Sequence, residues 1–317
     1  PVYLAALAVS SAGDRVALAA GDAVAIYSLP GGHLVRTIRH PDVVTALAFA
    51  RVGHDLVSGS RDGRLLITRD GADPFGLASL GSEIHAAGFG PTGRVIAGDD
   101  RRRLHVLDVE RRTSVGTLEL PTEAAAFRTS SDGRRLLVIP PDGATRPLVL
   151  CDLERPQITA QLDGYKGQVF AARFVRDDRE ILTAGTDGAA RIWNAATGKL
   201  QQAYLGSSEY LLDAALAPDG TTLVTAGGDG ALRFWDVATS RMIWKLQAHH
   251  SQVSGLHFED DDIVTRGFTG EIIRWSLPRL PHAMNFASFA ERIARCLPLR
   301  LDDDSGRLVE QDQPCDM

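Results

Sequence analysis

Residues 168–205 read QVFAARFVRDDREILTAGTDGAARIWNAATGKLQQAYL. Four short apolar-rich runs stand out: QVFAARFV (168–175), EILTAG (180–185), AARIWN (189–194) and KLQQAYL (199–205). Polar turns separate them at Asp177–Arg179, Thr186–Gly188 and Ala196–Gly198. Runs of this length, rich in Val, Ile, Phe and Trp and punctuated by Gly, Asp and Asn, predict antiparallel hairpins. The stretch therefore predicts one four-stranded antiparallel sheet.

The same pattern recurs in both directions. Leu4, Val44, Ile84, Ala124, Val169, Leu211 and Val253 each open a comparable run, at spacings of 40, 40, 40, 45, 42 and 42. A period of roughly 40–45 residues with several strands per unit is the mark of a β-propeller. A single sheet of this kind cannot bury both faces; stacking sheets around an axis buries them and leaves only short edges. The first strand of each unit is expected innermost, where Ala5, Ala6, Ala46, Ala48, Ala86, Ala87, Ala171, Ala172, Ala214 and Ala215 suit a crowded centre. The predicted fold is all-β, a seven-bladed propeller over residues 1–280, followed by a C-terminal extension over 281–317.

The chain resembles the WD-repeat family. The resemblance is carried by Asp187-Gly188 with Trp193-Asn194, Asp229-Gly230 with Trp235-Asp236, and Trp275-Ser276. His40 precedes Val44, Leu47 and Phe49 at the same offsets at which His249 precedes Val253, Leu256 and Phe258. The resemblance covers about residues 1–278, tightly in the last three units and loosely in the first four. It implies a buried chain of His, Ser/Thr, Asp and Trp within each blade, since polar groups pressed into an apolar stack need partners. No unit supplies all four at the expected places. The second offers His40, Ser58 and Asp62, with Thr68 at the Trp position. The fifth offers Thr183, Asp187 and Trp193, with Tyr165 in place of His. The sixth offers Thr225, Asp229 and Trp235. The seventh offers His249, Thr265 and Trp275, with Thr269 where Asp is expected. Tyr27 and Cys151 take the Trp position in the first and fourth.

Other chemistry is weighed against this frame. The His/Ser/Asp sets do not read as a hydrolase triad, because the repeat register does not bring the three roles together. His249, His250 and His257 lack a converging Cys or Glu, so no metal is expected. Ala226–Gly230 is a hairpin turn and not a phosphate loop, so no cofactor is expected. Arg101–Arg103 with Arg111 and Arg112 read as a local basic patch on a solvated face. Net charge is −6, which argues against a nucleic-acid partner. No apolar run approaches the roughly 18 residues of a spanning helix, so no membrane partner is expected and the expected location is the cytoplasm. Three lysines against abundant arginine suggest a GC-rich bacterial genome.

At the C-terminus, Asn285 can cap a helix to about Cys296, with Phe286, Phe289, Ala290, Ile293, Ala294 and Leu297 on one face. LPLRL (297–301), the turn Asp302–Gly306 and RLVEQ (307–311) read as a hairpin. Cys296 and Cys315 bracket it and pair only in an oxidising compartment. The seventh unit shows three clear strands. Its fourth is expected from residues upstream of Pro1, the alternative being the 297–311 hairpin. The chain is thus read as the C-terminal part of a longer bacterial signalling or defence protein with a kinase, protease or NTPase.

The resemblance implies a protein-binding platform rather than an enzyme. In that family, contacts come from one rim: the residue before the turn Asp and those flanking the first strand. Here these are Arg61, Thr186 and Phe268, with His85, Gln168, Phe170, Tyr210 and Gln252. The alternative is a small-ligand or catalytic site in a central channel, which needs converging ionisable groups; the inner runs are mainly Ala, Leu and Val.

Overall fold

The computed structural model describes residues 4–90, 93–141, 146–206, 209–260 and 262–276, and the backbone of 299–301 and 308–310. The chain divides by its contacts into two compact units, Pro1–Leu205 and Gly206–Met317.

The first unit holds five four-stranded antiparallel sheets. The first sheet is β1 (Leu4–Val9), β2 (Arg15–Ala20), β3 (Ala23–Ser28) and β4 (Leu34–Arg39). The second is β5 (Val44–Phe49), β6 (Leu56–Ser60), β7 (Arg64–Thr68) and β8 (Phe75–Ser79). The third is β9 (Ile84–Phe89), β10 (Arg94–Asp99), β11 (Arg103–Asp108) and β12 (Thr113–Glu119). The fourth is β13 (Ala126–Thr129), β14 (Arg135–Ile139), β15 (Leu148–Asp152) and β16 (Gln157–Leu162). The fifth is β17 (Val169–Val175), β18 (Glu180–Gly185), β19 (Ala189–Asn194) and β20 (Leu200–Leu205). The first strands touch in succession, β1 on β5, β5 on β9, β9 on β13 and β13 on β17.

The second unit holds a sixth sheet, β21 (Leu211–Leu216), β22 (Thr222–Gly227), β23 (Ala231–Asp236) and β24 (Arg241–Gln247). The seventh has three strands among the described residues: β25 (Val253–Glu259), β26 (Asp262–Gly267) and β27 (Ile272–Trp275). The hairpin β28 (Leu299–Leu301) and β29 (Leu308–Glu310) pairs with itself. The expected helix at 285–296, the 280/281 boundary, Cys296 and Cys315 lie outside the described residues.

In every sheet the strand order follows the chain. Antiparallel pairing then sends the second turn and the sheet-to-sheet connection to one end, called here the upper rim. The first and third turns go to the opposite, lower rim.

The sheets are held by apolar seams between neighbours. Between the second and third sheets, Val57, Leu65, Ile67, Ile84 and Val95 are fully buried. Each such side chain contributes about 1.5–3 kcal/mol relative to exposure. Equivalent seams join the first to the second sheet, the third to the fourth, the fourth to the fifth, and the sixth to the seventh.

Arginines add a second tie at the lower rim. The first residue of the second strand is arginine in three sheets, and each reaches into the next sheet. Arg15 grips Asp70 at 2.8 and 3.1 Å, Arg94 donates to the Leu153 carbonyl, and Arg135 donates to the Asp178 carbonyl at 2.7 Å.

Six of the seven inner strands share one irregularity. Their register slips after the first residue, so the ladder skips Ala5, Thr45, His85, Phe170, Leu212 and Ser254, while β13 pairs without a slip. A bulge of this kind bends the strand and re-aims the side chain of the extra residue.

Candidate functional site

Tryptophans in the third strands of the fifth, sixth and seventh sheets point back to the second strand. Trp193 Nε1 donates to Thr183 Oγ1 at 2.8 Å, Trp235 Nε1 to Thr225 Oγ1 at 3.0 Å, and Trp275 Nε1 to Thr265 Oγ1 at 2.8 Å. Asp187 and Asp229 tie their turns to neighbouring segments of the same sheet. Asp187 accepts from the Lys166 and Ala189 amides and pairs with Arg191 at 2.8 Å. Asp229 accepts from the Ala231 amide and pairs with Arg233 at 2.7 Å and Lys245 at 3.2 Å. Tyr165, at the His position, donates to the Arg146 carbonyl instead.

Two expectations need correction. In the second sheet His40 Nε2 meets Ser58 Oγ at 2.7 Å, but Nδ1 has no partner, so the expected chain to Asp62 is broken. Asp62 is held by Ser60 Oγ at 2.5 Å and by the Arg64 amide at 3.2 Å. Burial pushes the His40 imidazole below its usual range, favouring the neutral ring. Thr68, at the Trp position, has a buried hydroxyl without a partner.

In the seventh sheet all four roles are filled. His249 Nε2 lies 2.8 Å from Thr265 Oγ1, and His249 Nδ1 lies 3.0 Å from Glu271 Oε1. Glu271, two residues beyond Thr269, supplies the acid. The Thr269 hydroxyl, backbone amide bonding and His249 lower its pKa to about 2. A depressed carboxylate stabilises the fold above its unfolded value, and that contribution disappears as pH falls through the folded one. The stability gap between wild type and Glu271→Gln is therefore expected to be full above pH 4.5 and to close towards pH 2. Denaturant titrations across that range measure it; a gap independent of pH removes Glu271 from the network.

The third sheet carries a polar centre with no counterpart in the expected pattern. Asp99 accepts from Ser82 Oγ (2.8 Å), Arg103 Nε (2.8 Å), the Arg101 and Arg103 amides (3.0 and 2.8 Å) and His105 Nε2 (3.0 Å). Ser82 bonds the carboxylate and not the imidazole, so this Ser/His/Asp set lacks a nucleophile–base contact. Among the described residues no three His, Cys, Asp or Glu side chains converge to hold a metal ion. No helix there is long and apolar enough to cross a membrane.

The rim candidates fall into two groups, one per unit. In the first unit Arg61, His85, Gln168, Phe170 and Thr186 lie exposed at the upper rim. Arg61 sits 3.8 Å from Glu83 across the second and third sheets. Thr186 Oγ1 accepts from the Gln168 amide at 2.8 Å, and the Thr186 amide donates to the Gln168 carbonyl at 2.9 Å. His85 and Phe170 are bulge residues, aimed by the slipped register. In the second unit Gln252 links the other two. Its Nε2 donates to the Tyr210 hydroxyl at 2.5 Å, and its carbonyl accepts from the Phe268 amide at 2.8 Å. The Tyr210 ring lies over Gly228, where a Cβ would come within 2.5 Å of it. Phe268 is 72% exposed.

The expected basic patch does not form. Arg101 and Arg102 lie in the β10–β11 turn and Arg103 opens β11, whereas Arg111 and Arg112 lie in the β11–β12 turn at the opposite end of the sheet. Arg112 instead stacks on Phe75 of the second sheet at 4.4 Å. The first unit also has a lower-rim cleft of about 400 Å³, lined by Arg51, Val52, Phe89, Val109 and Asp132 among others. Its charged groups are satisfied internally: Arg51 by the Ser130 and Ser131 carbonyls, Arg69 by Asp55 and Glu110, and Asp132 by Ser130 and the Arg134 amide.

Residues 32–68, 156–194 and 198–236 match the family model described as WD domain, G-beta repeat. Each match begins at the outer strand of one sheet and ends at the third strand of the next: β4–β7, β16–β19 and β20–β23. Over these three stretches the chain is similar to WD repeats, and the Trp-to-Thr bonds behind the Asp-Gly turns and the recurring antiparallel sheets are consistent with that family.

Proposed function

We propose that this chain is a scaffold or sensor module that holds a protein partner through its upper-rim residues and carries out no chemistry of its own. WD repeats generally mediate protein–protein interaction. The observation that carries the reading here is Phe268. A large aromatic ring 72% exposed on the β26–β27 turn offers apolar surface that a partner can bury. Its neighbours Tyr210 and Gln252 are fixed by hydrogen bonds, so the patch is pre-shaped. Exposed aromatics of this type dominate binding energy at protein interfaces.

Affinity capture with wild type, Phe268→Ala and Tyr210→Ala/Phe268→Ala tests the reading. Truncating an anchor costs about 2 kcal/mol or more, roughly a thirtyfold loss of affinity. The wild-type partner set is expected to drop out with both variants, while far-UV circular dichroism is unchanged. Identical partner sets for all three proteins remove this rim from the interface.

A further inference from the structure

His54 lies on the β5–β6 turn, with a carboxylate at each ring nitrogen. Nε2 is 2.9 Å from Asp14 of the β1–β2 turn, and Nδ1 is 3.3 Å from Asp70 of the β7–β8 turn. No other described histidine has this arrangement. His105 and His249 each meet one carboxylate and one hydroxyl, and His40 meets one hydroxyl. A neutral imidazole donates at one nitrogen and accepts at the other; only the imidazolium donates at both. The geometry around His54 therefore has room for two donors and none for a lone pair.

We propose that His54 is a pH-sensitive joint between the first and second sheets, closed when the ring carries both protons and loosened when it loses one. The charged groups facing it are Asp14, Asp70 and Arg15, and Arg15 grips Asp70 from β2. Both acids are anionic in the range where imidazoles titrate. Ser10 and then His54 hydrogen bonds hold the Asp14 carboxyl low, and Arg15 holds Asp70 low. Arg15 keeps its hold on Asp70 whatever the state of the ring, so the joint loosens and does not fall apart. The same turn carries Arg51, Val52 and Asp55 to the lower-rim cleft, so the joint steadies one wall of that cleft.

The sign follows from which form bridges. The imidazolium bridges both carboxylates, so its contribution is present at low pH and is lost as pH rises. The test compares thermal midpoints of the full chain for wild type, His54→Gln and Asp14→Asn at pH 5.5 and pH 8. At pH 5.5 both variants are expected about 2 °C below wild type, in keeping with one partly exposed ion pair. At pH 8 that difference is expected to halve or vanish. Histidine-selective ¹⁵N spectra at pH 5.5 should show both His54 nitrogens protonated. A difference equal at the two pH values, or a single-proton tautomer at pH 5.5, overturns the proposal, because a merely structural contact behaves that way.

Discussion

Asp99→Asn is expected to destabilise the first unit by about 3–5 kcal/mol, the cost of leaving a buried charge network without its centre. The Asp99 side chain is fully buried and receives five donors from Ser82, Arg101, Arg103 and His105. Burial alone would raise its pKa. Hydrogen bonds from His105, the Arg103 amide, Ser82 and the Arg103 side chain outweigh that and hold the carboxyl well below the usual aspartate range. Asparagine keeps the shape but offers one acceptor oxygen, and its amide hydrogens face donors. The Arg103 guanidinium, 30% exposed, then sits beside a neutral group, and Ser82 and His105 compete for one oxygen. Because the folded carboxylate is the stronger acid, its contribution is complete above the ordinary value of 3.8 and is lost only as pH falls through the depressed one. The gap between wild type and variant should therefore stay constant from pH 8 to about 4 and narrow only in stronger acid. Urea unfolding followed by far-UV circular dichroism measures it. A loss under about 1 kcal/mol would mean that water enters and replaces the carboxylate.

Much of the architecture was legible in the sequence, for a physical reason. Strand starts follow from where apolar runs meet turn residues, and both signals are local. Leu4, Val44, Ile84, Val169, Leu211 and Val253 each open an inner strand, and Ala124 falls two residues before β13. The bulges were not legible, because hydrogen-bond register is a relation between strands. His85 and Phe170 were reached from the repeat alignment, with no sign that their backbone is slipped. The Asp99 centre was missed because Ser82 and His105 occupy none of the positions at which the repeat's polar residues are sought. Glu271 was missed by a shift of two positions: Thr269 holds the aligned place, and the longer glutamate reaches His249 from further along. Arginine abundance read as composition. Arg15, Arg94 and Arg135 clasp the next sheet across 43–59 residues of chain, a distance no local pattern spans.

Trp193→Ala is expected to cost about 3–5 kcal/mol, as removal of a large buried aromatic does. Trp193 is 1% exposed and packs with Leu150, Leu162, Val169 and Ile181 in the seam between the fourth and fifth sheets. Two terms contribute, and three variants separate them. Trp193→Ala removes the ring and the hydrogen bond and leaves a cavity. Trp193→Phe keeps most of the volume but removes the Nε1 donor, leaving Thr183 Oγ1 without it; about 1–2 kcal/mol is expected. Thr183→Val keeps the ring and orphans the indole N–H, with a similar cost. If packing dominates, Trp193→Phe and Thr183→Val both lie well above Trp193→Ala in stability. If the hydrogen bond dominates, all three fall together. The seam between the fourth and fifth sheets is continuous apolar surface, and one indole N–H is a small part of it, so the first ordering is expected. Hydrogen exchange should locate the Trp193→Ala loss in β14, β15, β18 and β19, the strands that line the cavity, and leave β2 and β3 protected. Uniform loss across the first unit would instead make its five sheets a single cooperative block.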